Sequence, residues 1–373
     1  MRQIAILRGV VLAVAWGLVA SMPARADDSA AAIAAGGLVP RRETRIVMAR
    51  EVLQISLKKV VVDYDFRNDT NQDVTTEVAF PIPPYTNEID GPAASEQSFS
   101  DFQLEIGGKP VPFMTEAKAT LNDKDVTALL LADHIDIPTF GHLEDTVDAR
   151  HEEHVIVHDF SRLSKAAQIR LIQAGLFEDQ GGMIASLWTV HLQYHWIQTF
   201  PAHSTVHIRH EYSPVAGFTQ VTQATVEEAL AQFTHVQSAD GDPEEGKLLA
   251  GFCVDQPLLS TLARQLQENA PQAKTGDERP VTGLVFPQWV DFILTSANTW
   301  KRPIEDFTLI VERPKPEQGG KILISFCSPQ NGKVEKTGVD LLQVHLTNFV
   351  PASELHIGFF EVPLAKAAQP AAK

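Results

Sequence analysis

The chain has 373 residues, 44% of them hydrophobic, and a formal charge of −16 at pH 7. That much apolar material buries a real core and excludes wholesale disorder, and the length suits two domains or one large elaborated domain. The acidity excludes nucleic acid and anionic lipid as partners, and it leaves cationic ligands or basic protein faces as permitted ones.

The first residues have the layout of a secretory signal: Arg2 and Arg8, an apolar run over residues 9–22, then Ala24-Arg25-Ala26. Cleavage is expected after Ala26. It removes Arg2, Arg8 and Arg25 and no acid, so the formal charge falls from −16 to −19. The apolar run is shorter than the ~20 residues a membrane-spanning helix needs, so an uncleaved anchor is the competing reading. No other segment reads as transmembrane and no cysteine lies near the cleavage point. The mature protein is therefore expected to be soluble, in the periplasm or secreted, with no transmembrane span.

Residues 27–40 are rich in small residues, with Gly36 and Gly37 breaking any helix. From Arg45 the pattern becomes strands. Two short apolar runs, 46–49 and 52–57, precede Val60, Val62, Tyr64 and Phe66, which alternate with polar neighbours. After Asn68-Asp69-Thr70-Asn71-Gln72-Asp73 a strand returns over 74–80 and stops at Pro81, Pro83 and Pro84, which reads as a hairpin. Residues 102–106, a Gly107-Gly108 turn and residues 111–114 make another. The periodicity then changes. Residues 125–132 and 164–174 read as helices, the second with Ser164 as N-cap and Gly175 past its end. The segment 116–186 is expected to be a helical insertion.

The stretch 187–214, LWTVHLQYHWIQTFPAHSTVHIRHEYSP, reads as a long antiparallel hairpin. Trp188, Val190, Leu192, Tyr194 and Trp196 form one large apolar face, alternating with Thr189, His191, Gln193, His195 and Ile197. On the second arm Val206, Ile208, His210 and Tyr212 share the apolar face. A short helix over 225–232 has a capping box from Thr225 to Glu228, residues 241–246 read as a linker, and Asp255 caps a helix over 258–268. Strands over 290–295, 307–311, 321–327, 341–346 and 355–361 follow, separated by glycine and proline. Cys253 and Cys327 are expected to close a disulfide in an oxidising compartment, worth roughly 4 kcal/mol in the chain-entropy picture. Two buried thiols are the competing reading.

The order of FRNDTNQDVTTEVAFPIP, the DVTALL helix, LWTV with YHWIQTFP, HEYSPVAG, FCVD, ANTWKRPIEDFTL and NFVPASEL resembles the bacterial exported family called domain of unknown function 4424, over nearly all of the mature chain. The resemblance implies export and a fold, and it carries no catalytic or ligand residue onto this sequence. The hairpin ending in AFPIP is also similar, more weakly, to the N-terminal sandwich module of vault and inter-alpha-trypsin-inhibitor proteins, a likeness of fold alone.

Chemistry would come from histidines. His191 and His195 lie about 13 Å apart along one strand, too far to share an ion. If Gln198 faces Ser204 across the turn, His195 stands opposite His207 and His191 opposite Glu211, at roughly 5 Å. A two-residue slip would instead set His195 against Thr205 or Arg209. This group is the candidate polar binding surface. A second candidate is His154 with His158, which would share a helix face and suit a metal. Asp69, Asn71 and Asp73 imitate a calcium loop but lack its glycine and its final glutamate. Trp188, Tyr194 and Trp196 read as core, with a carbohydrate-stacking platform as the alternative. No nucleophile elbow, zinc-protease motif, phosphate loop or C-x-x-C is present.

The expected fold is mainly β: antiparallel β-sandwiches with a helical insertion and a few short helices. The expected organisation is a signal peptide at 1–26, an N-terminal β-sandwich at 27–240 with its insertion at about 116–186, a C-terminal β-rich region at 241–364 and a flexible tail at 365–373. The expected role is non-catalytic, binding or structural, in the cell envelope, with an unknown protein or envelope ligand as partner and no cofactor. The alternatives are a metal-dependent hydrolase using the histidine-rich surfaces and an envelope glycan binder.

Overall fold

The computed structural model describes residues 29–34, 37–86, 101–138, 140, 143–147, 153–157, 160–179, 184–234, 243–269, 284–316 and 320–363. The expected cleavage point at Ala26 and the tail from residue 365 lie outside them. The chain is mostly strand. It begins with β1 (Ser29–Ala34), β2 (Gly37–Pro40), β3 (Ile46–Ile55), β4 (Val60–Asn68), β5 (Val74–Pro81) and β6 (Tyr85–Thr86). Then come β7 (Gln103–Ile106), β8 (Lys109–Pro110), β9 (Met114–Leu121), β10 (Lys124–Asp125), α1 (Thr127–Leu131), β11 (Leu143–Val147) and β12 (Glu153–Val157). Next are α2 (Lys165–Gln173), β13 (Phe177–Asp179), β14 (Ile184–Ser186), β15 (Thr189–Phe200), β16 (Ser204–Tyr212), β17 (Ala216–Phe218) and β18 (Val221–Thr222). Three helices follow: α3 (Gln223–Thr234), α4 (Pro243–Gly251) and α5 (Gln256–Asn269). The last strands are β19 (Leu284–Val285), β20 (Pro287–Phe292), β21 (Ile304–Glu312), β22 (Gly320–Phe326), β23 (Glu335–Lys336), β24 (Leu341–Phe349) and β25 (Leu355–Pro363).

Three sheets carry the architecture. One has seven strands, ordered β10-β9-β15-β5-β1-β2 with β6 also on β15; one has eight, ordered β23-β24-β21-β3-β4-β16-β7-β8; one has four, ordered β17-β20-β25-β22. The first two face each other across one core, to which Phe292, Leu355 and Phe359 of the third also contribute. Rings meet across the interlayer: His210 lies 4.8 Å from Phe80 and 5.3 Å from Trp196, and Phe66 lies 5.7 Å from Phe200. Trp188, Tyr194 and Trp196 are all buried. They are core, so they form no platform for a sugar.

Alternation places the faces correctly but misleads about neighbours. The pairs β4–β5 and β15–β16 read as hairpins, yet the two strands of each pair lie in different sheets. β4 bonds to β3 and β16, whereas β5 bonds to β1 and β15. Each connection is an arch that carries the chain over the edge of the core. The physical reason is that a period of two says which face is apolar, while both a hairpin and an arch bury that face. Asn68 holds the arches together. Wholly buried, it donates to the carbonyls of Gln72 (2.9 Å) and Phe200 (2.8 Å) and accepts from the backbone N–H of Thr70 (2.9 Å).

Other expectations are refined. The runs 46–49 and 52–57 are one strand, β3, with a bulge between Met48 and Arg50. The insertion is mixed, with α1 and α2 accompanied by β9 to β14. Ser164 does cap α2, accepting from Ala167 N–H at 3.1 Å, and Gly175 does take positive φ, +70°. β3 and β21 pair in parallel, so the eight-stranded sheet contains strands from both sides of residue 240.

Of the linker expected at 241–246, residues 243–246 are instead the start of α4, with Pro243 at its first position, where the missing N–H costs nothing, and residues 241–242 lie outside the described residues. The expected capping box also moves. Thr222, not Thr225, caps α3, accepting from Thr225 N–H at 3.3 Å. Asp255 caps α5 as expected, accepting from Leu258 N–H at 2.9 Å. The three helices form a second, smaller core with Phe252, Leu258, Leu259, Leu262 and Phe360. Cys253, just past α4, is bonded to Cys327, just past β22, with Cα atoms 5.0 Å apart.

Candidate functional site

The four residues of the expected polar surface are not brought together. His191 and His195 sit on β15 in the seven-stranded sheet, and His207 and Glu211 sit on β16 in the eight-stranded one. Each is taken up by its own neighbours. His191 Nε2 is 2.9 Å from Thr120 Oγ1, and burial, then the charge of Lys118, holds its imidazole below the ordinary histidine range. His195 Nδ1 is 2.8 Å from Glu77 Oε1, with both side chains about nine-tenths buried. His207 lies between Asp65, at 3.0 Å from Nδ1, and Asp63, at 3.3 Å from Nε2. Glu211 pairs with Lys59, whose hydrogen bond holds its carboxyl below the ordinary range. These are polar ladders on sheet faces, with each carboxylate answered by a neighbouring cation or imidazole.

The second histidine candidate also changes character. His154 lies on β12, opposite Thr146, so helical spacing does not apply; His158 lies outside the described residues. Among the described residues no group of three or more His, Cys, Asp or Glu side chains gathers to hold a metal ion. The oxygens of the calcium-like stretch are engaged within the protein. Asp69 accepts from Arg67 (2.7 Å), Asn71 lies 2.8 Å from His203 Nε2, and Asp73 accepts from Ala202 N–H (2.8 Å).

The feature that sequence reading missed is a cavity of about 470 Å³ between α3, α4 and the start of α5. Ala229, Leu249, Val254 and Leu259 give it apolar walls, Phe233 stands half exposed at its side, and Glu228 and Lys247 are its charged lining groups. The elements that shape it are held firmly. Glu245 of α4 accepts from Thr222 N–H (3.0 Å) and from the hydroxyl of Thr225 (2.5 Å), which ties the beginning of α4 to the beginning of α3. At the far end Ser325 Oγ on β22 donates to Phe252 O at 3.0 Å beside the disulfide, and Cys253 itself lines the cavity. Phe252 rests on Gly358, where an added Cβ would meet its ring at 2.9 Å. The α3 side of the cavity is Thr225, Glu228, Ala229, Gln232 and Phe233, a mixed face with no period that marks it in the sequence.

Fold and site together define a β-rich, disulfide-linked sandwich protein with a helical layer over one sheet and a ligand-sized groove in that layer. The chain belongs to the family described as Domain of unknown function (DUF4424), whose profile matches residues 26–357. A comparison with curated proteins finds no match. Among solved structures it is similar to a chain from Legionella pneumophila described as a "putative nutrient binding protein", at 14% identity and a TM-score of 0.37, covering 86% of this chain and 68% of that one.

Proposed function

We propose that this is a non-catalytic binding protein that acts outside the cytoplasm and seats a small, largely apolar ligand in the groove between α3 and α4. The groove carries the reading. Its volume of about 470 Å³ is in the range of pockets that hold small molecules, and its apolar walls with a few polar groups have the composition of such pockets. The histidine-rich surfaces support it indirectly, because their side chains are spent on pairing within the sheets. The disulfide supports an oxidising compartment, and no described helix is long and apolar enough to cross a membrane. Export with cleavage after Ala26 belongs to this reading, and the intact mass of the mature chain, beginning at Asp27, checks it.

The test is fluorescence of N-phenyl-1-naphthylamine, a neutral apolar dye, titrated with the mature protein. Saturable binding at micromolar concentration is expected. Ala229→Phe, which fills the groove from α3, should abolish it, while His191→Ala and His207→Ala should leave it unchanged. Binding that survives Ala229→Phe in a folded variant would place the ligand elsewhere and end the proposal.

A further inference from the structure

We infer that the groove selects amphiphiles with a cationic head, of the alkylammonium class, and that Glu228 is the counter-ion. This rests on the groove being the binding site proposed above. The apolar walls fix one end of the ligand: Ala229, Leu249, Val254 and Leu259 offer an alkyl chain contact and no hydrogen bond. The other end is decided by which lining charge is uncommitted. Lys247 already interacts with another group of the chain. Three carboxylates on α3 and α4 have described side chains. Glu227 accepts from Gln223 Nε2 at 2.7 Å, and Glu245 is held by Thr222 and Thr225. Among the described residues Glu228 makes no hydrogen bond or ion pair.

A half-buried carboxylate facing an apolar cavity has lost part of its hydration without gaining a partner. A cation delivered by the ligand restores the balance. The charge of the whole chain, −16, acts in the same direction at longer range, drawing cations toward the surface and repelling anionic amphiphiles. Gln232, at the same lining, is uncharged and adds no competing charge.

The test is calorimetric titration of the full mature chain with octyltrimethylammonium, 1-octanol and octyl sulfate, each below its micelle concentration. The cation should bind about fivefold more tightly than the alcohol, the range expected of a partly exposed charge pair, and octyl sulfate should bind more weakly than either. Glu228→Gln should bring the cation down to the level of the alcohol, and Lys247→Gln should leave its advantage in place. Octyl sulfate or octanol binding as tightly as the cation, or a preference that persists in Glu228→Gln, would overturn the inference.

A second variant separates this from failure of the groove itself. Ala250→Phe, at an exposed position of the lining, should weaken all three ligands together. If it does so and no cation preference exists, only the head-group inference falls. If it weakens none of them, or if none of the three binds the native chain, the groove reading falls and the head-group inference with it.

Discussion

At the scale of single residues, the most consequential side chain lies far from the groove. Asn68 spends both its amide hydrogens and its carbonyl inside the core, on Gln72, Phe200 and Thr70. Replacing it with alanine leaves the buried carbonyl of Phe200 without its side-chain donor, at about 1–3 kcal/mol, while the exposed carbonyl of Gln72 keeps the hydroxyl of Thr70. Asn68→Ala is therefore expected to lose about 1–3 kcal/mol in urea unfolding, while Asn71→Ala, on an exposed part of the same turn, should lose less than about 0.5 kcal/mol. Two histidines make opposite predictions with pH. His356 Nδ1 lies 2.7 Å from Asp291 Oδ1, and this hydrogen bond raises its pKa above the ordinary value. Its small contribution to stability is complete below the unfolded-state pKa and fades as pH rises through the folded-state one. His191 is shifted down by burial, so the unfolded chain binds its proton first and stability falls as pH drops through the ordinary histidine value toward the lowered one. Imidazole signals followed by NMR should titrate in the order His191 then His356 as pH rises from 4, and Asp291→Asn should lower only the second. Coincident midpoints would contradict both assignments.

At the scale of elements, strands were legible and their partners were not. The five long late strands, β20, β21, β22, β24 and β25, were readable because glycine and proline interrupt alternating apolar runs, whereas the two-residue strands β19 and β23 are too short to show a period; the caps at Ser164 and Asp255 were readable because a side-chain oxygen just before an apolar helix face has one obvious use. What failed was anything decided by distant chain. β15 and β16 carry the same alternation whether they pair or arch, and the choice is made by β5 and β4 competing for their edges. The groove was hidden for a related reason: it exists only because α4 forms where acid-rich, glycine-containing sequence suggested a linker, and Glu245 anchors that helix to α3. The disulfide fixes the opposite end of α4 to β22. Closing a loop between residues 74 apart is worth roughly 4 kcal/mol in the chain-entropy picture, and Phe252 packed on Gly358 holds the same turn independently. The Cys253→Ser/Cys327→Ser double variant is thus expected to keep its far-UV circular dichroism and to lose up to roughly 4 kcal/mol in urea unfolding. An unchanged midpoint would mean that packing alone carries the helical layer.

At the scale of the molecule, the parallel pairing of β3 with β21 decides how the chain folds as a whole. Sequence alone suggests a boundary near residue 240, yet β21 lies between β24 and β3 in one sheet, and the main core draws on Ile46 and Phe66 as well as Phe307, Phe349 and Ile357. Arg67 on β4 adds a two-pronged bond to Glu305 on β21, at 2.8 and 2.9 Å, and Arg302 bridges the same Glu305 and Asp69. Cutting the chain at 240 would expose the inner edges of β3 and β21 and strip one face of the core, at a cost in apolar burial larger than the 5–15 kcal/mol that typically separates a folded domain from its unfolded chain. Residues 27–240 and 241–373 expressed separately are therefore expected to lack cooperative melting, and the intact chain should unfold in one transition followed alike by tryptophan fluorescence and far-UV circular dichroism. Two resolved transitions, or a 241–373 segment that melts cooperatively alone, would show that the parallel pair joins finished domains. The distinction bears on binding, because α3 to α5 rest on β25 and β20 of the third sheet, whose other face completes the main core. If the chain is one cooperative unit, Asn68→Ala should weaken the groove's ligand only where it unfolds the whole molecule, so the affinity measured well below its melting temperature should equal that of the native chain.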